Sequence, residues 1–330
     1  MWYASYAMRS KLVALGLTLS ALACGGLESG TSGSSCQRNH PHAVGATAET
    51  LQTADGLRHY LLHVPPSYTG RKRVPLVLNF HGYGGNGARQ NAYSGLVRVS
   101  DANGFVLVSP DALPTMNGQP FWNNLLLPDP PHADDVAFVG ALLDELEADL
   151  CIDEARIYAT GMSNGALMSS RLACSLSSRI AAVAPVAGAY YPPLVTRTPP
   201  EPCADTRPVP FLGFHGTLDP QVPFGGGPST RGGTFRLPID DATPAEDVIQ
   251  DWAAHNGCTS GRQESSVSAE VRLVKYGGCT NGAEVQLYVV DGGGHTWPGS
   301  HDERPSEYTT NDISASDLMW EFFQAHPMRR

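Results

Sequence analysis

Three side chains in this sequence, Ser163, Asp219 and His295, have the types and settings for nucleophilic chemistry. A serine hydroxyl is a weak nucleophile until a base takes its proton. An imidazole can take it near neutral pH. A carboxylate behind the imidazole orients it and stabilises its charged form. Ser163 lies in Gly161-Met-Ser-Asn-Gly165, a G-x-S-x-G pentapeptide. In a chain with 35 glycines that pentapeptide alone is weak, and a glycine-rich turn is its bland alternative. Its setting gives it weight. The apolar run 156–160 reads as a buried strand, and 166–173 reads as a helix. Strand, G-x-S-x-G and helix make a nucleophile elbow, a turn sharp enough to lift the serine above a sheet. The serine then stands at a helix N-terminus, where amides favour developing negative charge.

Asp219 closes His215-Gly-Thr-Leu-Asp-Pro220, and His295 closes Asp291-Gly-Gly-Gly-His295, each just beyond an apolar strand-like run. The chain order Ser, Asp, His is that of an α/β-hydrolase. An ordinary turn before a proline is the alternative for Asp219. Asp240 and Asp241 are fallback acids that lack the strand-end position. A tetrahedral intermediate needs two N–H donors. The elbow supplies one at Asn164, the residue after the nucleophile. The loop His81-Gly-Tyr-Gly-Gly-Asn86 supplies the other, assigned to Tyr83. His81 precedes Ser163, which breaks the order, so it reads as shaping that loop. His215 reads as structural. Trp122 and Trp297 are candidate substrate-binding walls, against an ordinary core role for both, and Trp297 is the better placed, two residues after His295.

The elements that must position these residues alternate. Strands are expected at 57–64, 74–80, 105–109, 180–187, 209–214, 271–276 and 285–290. Helices are expected at 88–101, 136–150, 244–256 and 313–325. Continuous apolar strands alternating with helices predict one α/β domain over 51–330, a mostly parallel sheet with helices on both faces. In such a sheet the carboxyl ends of parallel strands share one edge, where residues distant in sequence meet. Between strands, the proline-rich stretch 110–131 carries Phe121-Trp-Asn123, and a loop of that length is usually functional. The Gly/Pro-rich stretch 221–238 is a candidate cleft border.

Composition narrows the partners. Of 330 residues, 42% are hydrophobic and 16% charged, which suits a globular chain with ample core. A net charge of −10 argues against nucleic acid and against anionic membrane surfaces. Arg9 and Lys11, then an apolar run over 12–23 too short to span a bilayer, read as a signal peptide over 1–23. Ala21-Leu-Ala23 fits a cleavage site. Cys24 directly after it also fits a lipoprotein box, so free secretion and a lipid anchor at Cys24 stand as equal alternatives. A Gly/Ser-rich leader is expected over 24–50. Six further cysteines, at 36, 151, 174, 203, 258 and 279, suggest three disulfides in an exported protein. Their pairing is open, with Cys258–Cys279 favoured. No metal is expected: no C-x-x-C spacing occurs, and His40-Pro-His42 reads as a solvated loop.

Taken together, five stretches resemble the polyhydroxybutyrate depolymerase and feruloyl esterase family of secreted α/β-hydrolases. They are His81-Gly-Tyr-Gly-Gly-Asn86, Tyr158-Ala-Thr-Gly-Met-Ser-Asn-Gly165, Ala182-Val-Ala-Pro-Val-Ala-Gly188, His215-Gly-Thr-Leu-Asp-Pro220 and Gly293-Gly-His-Thr-Trp-Pro-Gly299. The similarity runs from about residue 57 to about residue 325. It implies a nucleophile at Ser163, an acid at Asp219 and a base at His295. It also implies ester hydrolysis without a cofactor, on phenolic esters of plant cell-wall polysaccharide, on short polyester or on model acyl esters. Two features depart from the pattern. No appended polymer-binding domain is visible, which weakens the solid-polyester reading, and Ala166 stands where relatives often carry glycine. The expectation is an exported serine carboxylesterase acting on feruloyl-type esters, with a polyhydroxybutyrate depolymerase as runner-up. A catalytically silent surface-binding protein on the same scaffold is the rival of another class, and a peptidase is a weaker one.

Overall fold

A computed structural model describes residues 35–36, 39–114, 118–123, 133–188, 203, 206–229, 242–300 and 307–329. The expected signal segment, Cys24, Asp240 and Asp241 lie outside the described residues. The architecture rests on ten strands: β1 (Gly45–Thr53), β2 (Gly56–Val64), β3 (Val74–Phe80), β4 (Val106–Pro110), β5 (Ile152–Met162), β6 (Ala182–Val186), β7 (Phe211–Gly216), β8 (Gln263–Ser266), β9 (Val271–Tyr276) and β10 (Val285–Val290). They form one sheet in the order β1-β2-β4-β3-β5-β6-β7-β10-β9-β8. The six central strands, β4, β3, β5, β6, β7 and β10, pair in parallel, while β1, β2, β9 and β8 add antiparallel edges.

Every residue of β3, β4, β6 and β7 is buried. Strands covered on both faces need this continuous apolar pattern, because βα crossovers place helices above and below. The helices are α1 (Gly87–Ser94), α2 (Leu96–Asn103), α3 (Asp135–Asp149), α4 (Asn164–Ser175), α5 (Ala245–His255) and α6 (Ala315–Ala325). One core cluster gathers apolar residues of α3, α4 and α5, such as Phe138, Leu167 and Ile249. A second gathers those of α2 and α6, such as Val99 and Phe323, so helices cover both faces as expected.

Three details differ from the sequence reading. The single helix expected over 88–101 is two, because Gly95 adopts φ 66° and both ends α1 and begins α2. The strand β1 starts inside the expected leader, and its small and polar residues alternate between half-buried and exposed. β8 was not anticipated either: its four residues are polar and exposed, so no apolar pattern marks it. Both are outer strands, where one-sided burial weakens the signal.

Disulfides join Cys36 to Cys151, Cys174 to Cys203 and Cys258 to Cys279, the last being the favoured pair. Cys36–Cys151 spans 115 residues and ties the segment before β1 to the start of β5. A long closed loop restricts the unfolded chain most. Replacing both cysteines with serine is therefore expected to lower unfolding free energy by about 2–4 kcal/mol. Denaturant melts of the variant and of the native protein measure this, and coincident melts would contradict it.

Candidate active site

The elbow follows from close backbone approach. Ser163 follows the end of β5 with φ 57° and ψ −115°, a conformation L-residues seldom adopt, and it begins α4. Its amide donates to Val186 O at 3.0 Å, which ties the turn to β6. A Cβ at Gly161 would lie 2.6 Å from Phe80 O, and one at Gly165 would lie 2.1 Å from the same oxygen. Both positions therefore exclude every side chain. The Ala166 methyl is accommodated from the other side: a Cβ at Gly188 would meet it at 2.4 Å. The space that Ala166 takes up is space that Gly188 leaves.

Asp219 and His295 meet at one edge of the sheet. β7 ends at Gly216 and β10 at Val290, parallel neighbours whose ends deliver Asp219 and His295 to one edge. Nδ1 of His295 donates to Asp219 Oδ2 at 2.8 Å. This fixes the proton on Nδ1 and leaves Nε2 free to accept one. Both side chains are buried. Asp219 Oδ1 accepts the amides of Gln221 at 2.8 Å and Val222 at 2.9 Å. His215 donates Nε2–H to Val222 O at 2.8 Å and lies 3.4 Å from Asp219 Oδ2. Burial opposes ionisation of Asp219. The positive field of His295 and the bonds from both histidines outweigh it and hold the carboxyl below the usual carboxylate range.

Ser163 Oγ makes no hydrogen bond to His295 in this conformation, among the described residues. Hydroxyl–imidazole contacts of this kind tighten as the reacting complex forms. The two residues share an edge of the sheet: β5 runs parallel to β6, β6 to β7 and β7 to β10.

The loop after β3 stands against the serine. A Cβ at Gly82 would lie 3.4 Å from Ser163 Cβ. Gly85 N–H donates to Gly82 O at 3.0 Å, so 82–85 is a tight turn with Tyr83 at its second position. Asn164 is the first residue of α4, so its amide belongs to those without a partner inside the helix. His81 does not face the reacting edge. Its Nδ1 donates to Gly82 O at 2.7 Å and its Nε2 accepts from Ala112 N at 3.0 Å, which defines a neutral tautomer. Burial pushes its pKa down, in keeping with that form.

The tryptophans correct the sequence reading. Trp122 is fully buried and Trp297 is 1% exposed, so neither presents a wall to substrate. The Trp122 indole N–H donates to His81 O at 2.9 Å, and that of Trp297 donates to Ser316 Oγ at 3.0 Å. Two further contacts come from residues that carried no motif. Glu307 accepts the His295 amide at 2.8 Å. Arg58, fully buried on β2, pairs with Asp135 at 2.6 Å. Among the described residues no group of three or more His, Cys, Asp or Glu side chains could hold a metal ion. No described helix is long and apolar enough to cross a membrane.

A strained serine at a strand–helix elbow, with a carboxylate–imidazole pair on the same edge, defines an α/β-hydrolase. Residues 68–231 match the phospholipase/carboxylesterase family. NocK of Nocardia uniformis subsp. tsuyamanensis, named as an esterase, is 30% identical over 84% of this chain and 82% of its own length. Feruloyl esterase C of Emericella nidulans is 29% identical over 81% of this chain and 84% of its own length. Feruloyl esterase B of Piromyces equi is 31% identical over 72% of this chain, which spans 42% of that protein's length. An acetyl xylan esterase from Aspergillus awamori has the same fold, with TM-score 0.55 at 15% identity, covering 84% of this chain and 99% of its own. The chain belongs to the phospholipase/carboxylesterase family of α/β-hydrolases.

Two outcomes follow from the packing and the charge. Gly188→Ala is expected to destabilise the fold by about 1–3 kcal/mol through overpacking, and Ala166→Gly in the same chain is expected to recover part of the loss. Equal melting temperatures for native protein and Gly188→Ala would contradict the contact. Because the Asp219 carboxyl is held low, its contribution to stability is complete above the usual carboxylate range, fades as pH falls from that range toward the lowered value, and is gone below it. Asp219→Asn is expected to flatten stability against pH in that acid window, as acid melts would record. An acid stability profile identical to the native one would contradict it.

Proposed function

We propose that this protein is a serine carboxylesterase that transfers the acyl group of its substrate to Ser163 and then to water. The observation that carries the reading is the His295–Asp219 bond, which leaves Nε2 as a base on the edge where Ser163 stands. Nε2 takes the Ser163 proton as Oγ attacks the ester carbonyl. The amides of Asn164 and Tyr83 receive the oxyanion. The imidazolium, stabilised by Asp219, returns its proton to the leaving alcohol. Water then attacks the acyl ester by the same route, which releases the acid and restores the serine. No step calls for a cofactor.

The substrate class we infer is the feruloyl-type ester of plant cell-wall polysaccharide. Two feruloyl esterases among the relatives support it. Three disulfides suit an enzyme that works outside the cytosol, where such substrates occur.

Three measurements test this. A fluorophosphonate is expected to label the native protein and not Ser163→Ala, and a folded native protein that resists labelling would favour a silent scaffold. Methyl ferulate is expected to turn over faster than a hydroxybutyrate oligomer, and the reverse ranking would make short polyester the substrate. His295→Ala is expected to lower kcat by about 10²- to 10⁴-fold. An unchanged rate in that folded variant would remove His295 from the role of base.

A further inference from the structure

Trp122 is hydrogen-bonded to both sides of the proposed oxyanion site. Its backbone amide donates to Asn164 Oδ1 at 2.7 Å, and its carbonyl accepts from Asn164 Nδ2 at 3.2 Å. Its indole N–H donates to His81 O at 2.9 Å, and His81 in turn bonds Gly82 O. One residue therefore clamps the first residue of α4 and the loop after β3 together. These are the elements that carry the two proposed donors.

The clamp is anchored from behind. Asp135 Oδ2 accepts the amide of Asn123 at 2.6 Å, and Asp135 Oδ1 holds Arg58. The Arg58 guanidinium lies 3.8 Å from the Phe138 ring centre and 6.0 Å from that of Trp122. Among the described residues, its Nε and Nη1 have no hydrogen-bond partner. Burial pushes the Asp135 carboxyl up, and Arg58 offsets only part of that push. A fully buried ion pair with unpaired donors is a poor source of stability, so its value is sought in what it holds in place.

Resting on the acyl-transfer reading above, we propose that Trp122 is a positioning residue that sets the separation of the Asn164 and Tyr83 amides, and that the Arg58–Asp135 pair holds it. The donors must sit where charge develops in the transition state, and small displacements there are expensive in rate. The clamp therefore acts on kcat. It leaves ground-state binding and the His295–Asp219 pair alone.

The test uses Trp122→Phe, which removes the indole donor and keeps a ring, and Asn164→Ala, which removes the side-chain clamp and keeps the backbone donor. With 4-nitrophenyl acetate, both are expected to lower kcat by about 10- to 100-fold. KM and the acid limb of the pH profile stay unchanged. A phenylboronate, which forms a tetrahedral adduct with a catalytic serine, is expected to bind more weakly in proportion to the loss in kcat/KM. A purely structural residue would lower the melting temperature without that proportionality. Unchanged kcat in folded Asn164→Ala, on an active native background, overturns this proposal alone. A folded native protein that neither hydrolyses the ester nor takes a fluorophosphonate overturns the acyl-transfer reading with it.

Discussion

The constraint on which the rest depends is the contact between two backbones: the carbonyl of Phe80 at the end of β3, and the turn that joins β5 to α4. No atom larger than hydrogen fits at Gly161 or Gly165 against that carbonyl. Close contact lets α4 start immediately after β5, and the immediate start forces Ser163 to φ 57°. Such a conformation is worth about 1–3 kcal/mol of strain. It persists because β3, buried throughout, and the buried end of β5 cannot shift to relieve it. The parallel core thus stabilises the chain and also keeps one residue in a shape it would not take by itself.

Around that turn, charge is arranged by saturation of one carboxylate. Asp219 takes two amides on one oxygen, and on the other it takes His295 with His215 nearby. With its acceptor sites so filled, the carboxylate stays charged although it is out of water. Its charge then fixes the His295 proton on Nδ1. The backbone of His295 is held independently by Glu307, so ring and main chain are positioned by different groups. An imidazole held at two points keeps its orientation.

The parts of this arrangement that sequence makes legible are those with a local signature. Apolar runs announce the central strands because both faces are covered, and the motif loops at their ends announce Ser163, Asp219 and His295. What sequence hides is pairing across the fold. Glu307 and Arg58 sit in no motif, and their roles come from partners 12 and 77 residues away. Ala166 is instructive in the same way. Read alone it is a departure from a glycine pattern, and it becomes ordinary once Gly188 is seen to vacate the matching space. The outer strands β1 and β8 escape notice for a simpler reason, since half-exposed polar strands carry little apolar periodicity.

The two tryptophans show why an aromatic residue beside a catalytic motif is a poor guide to a substrate wall. Buried indoles bring an N–H that must be paired. Trp122 meets that need with a carbonyl of the loop after β3, and Trp297 with a hydroxyl of α6. Each is thereby tied to the scaffold, with its ring buried. The described apolar groups that remain accessible near the motifs are others. Leu218, next to Asp219, is 71% exposed, and Tyr83 is half-buried with its ring against Phe121 at 5.9 Å. A wall for an acyl group has to be sought among side chains like these, whose packing leaves a surface open. The residues that hold the reacting atoms in place are spent on that task.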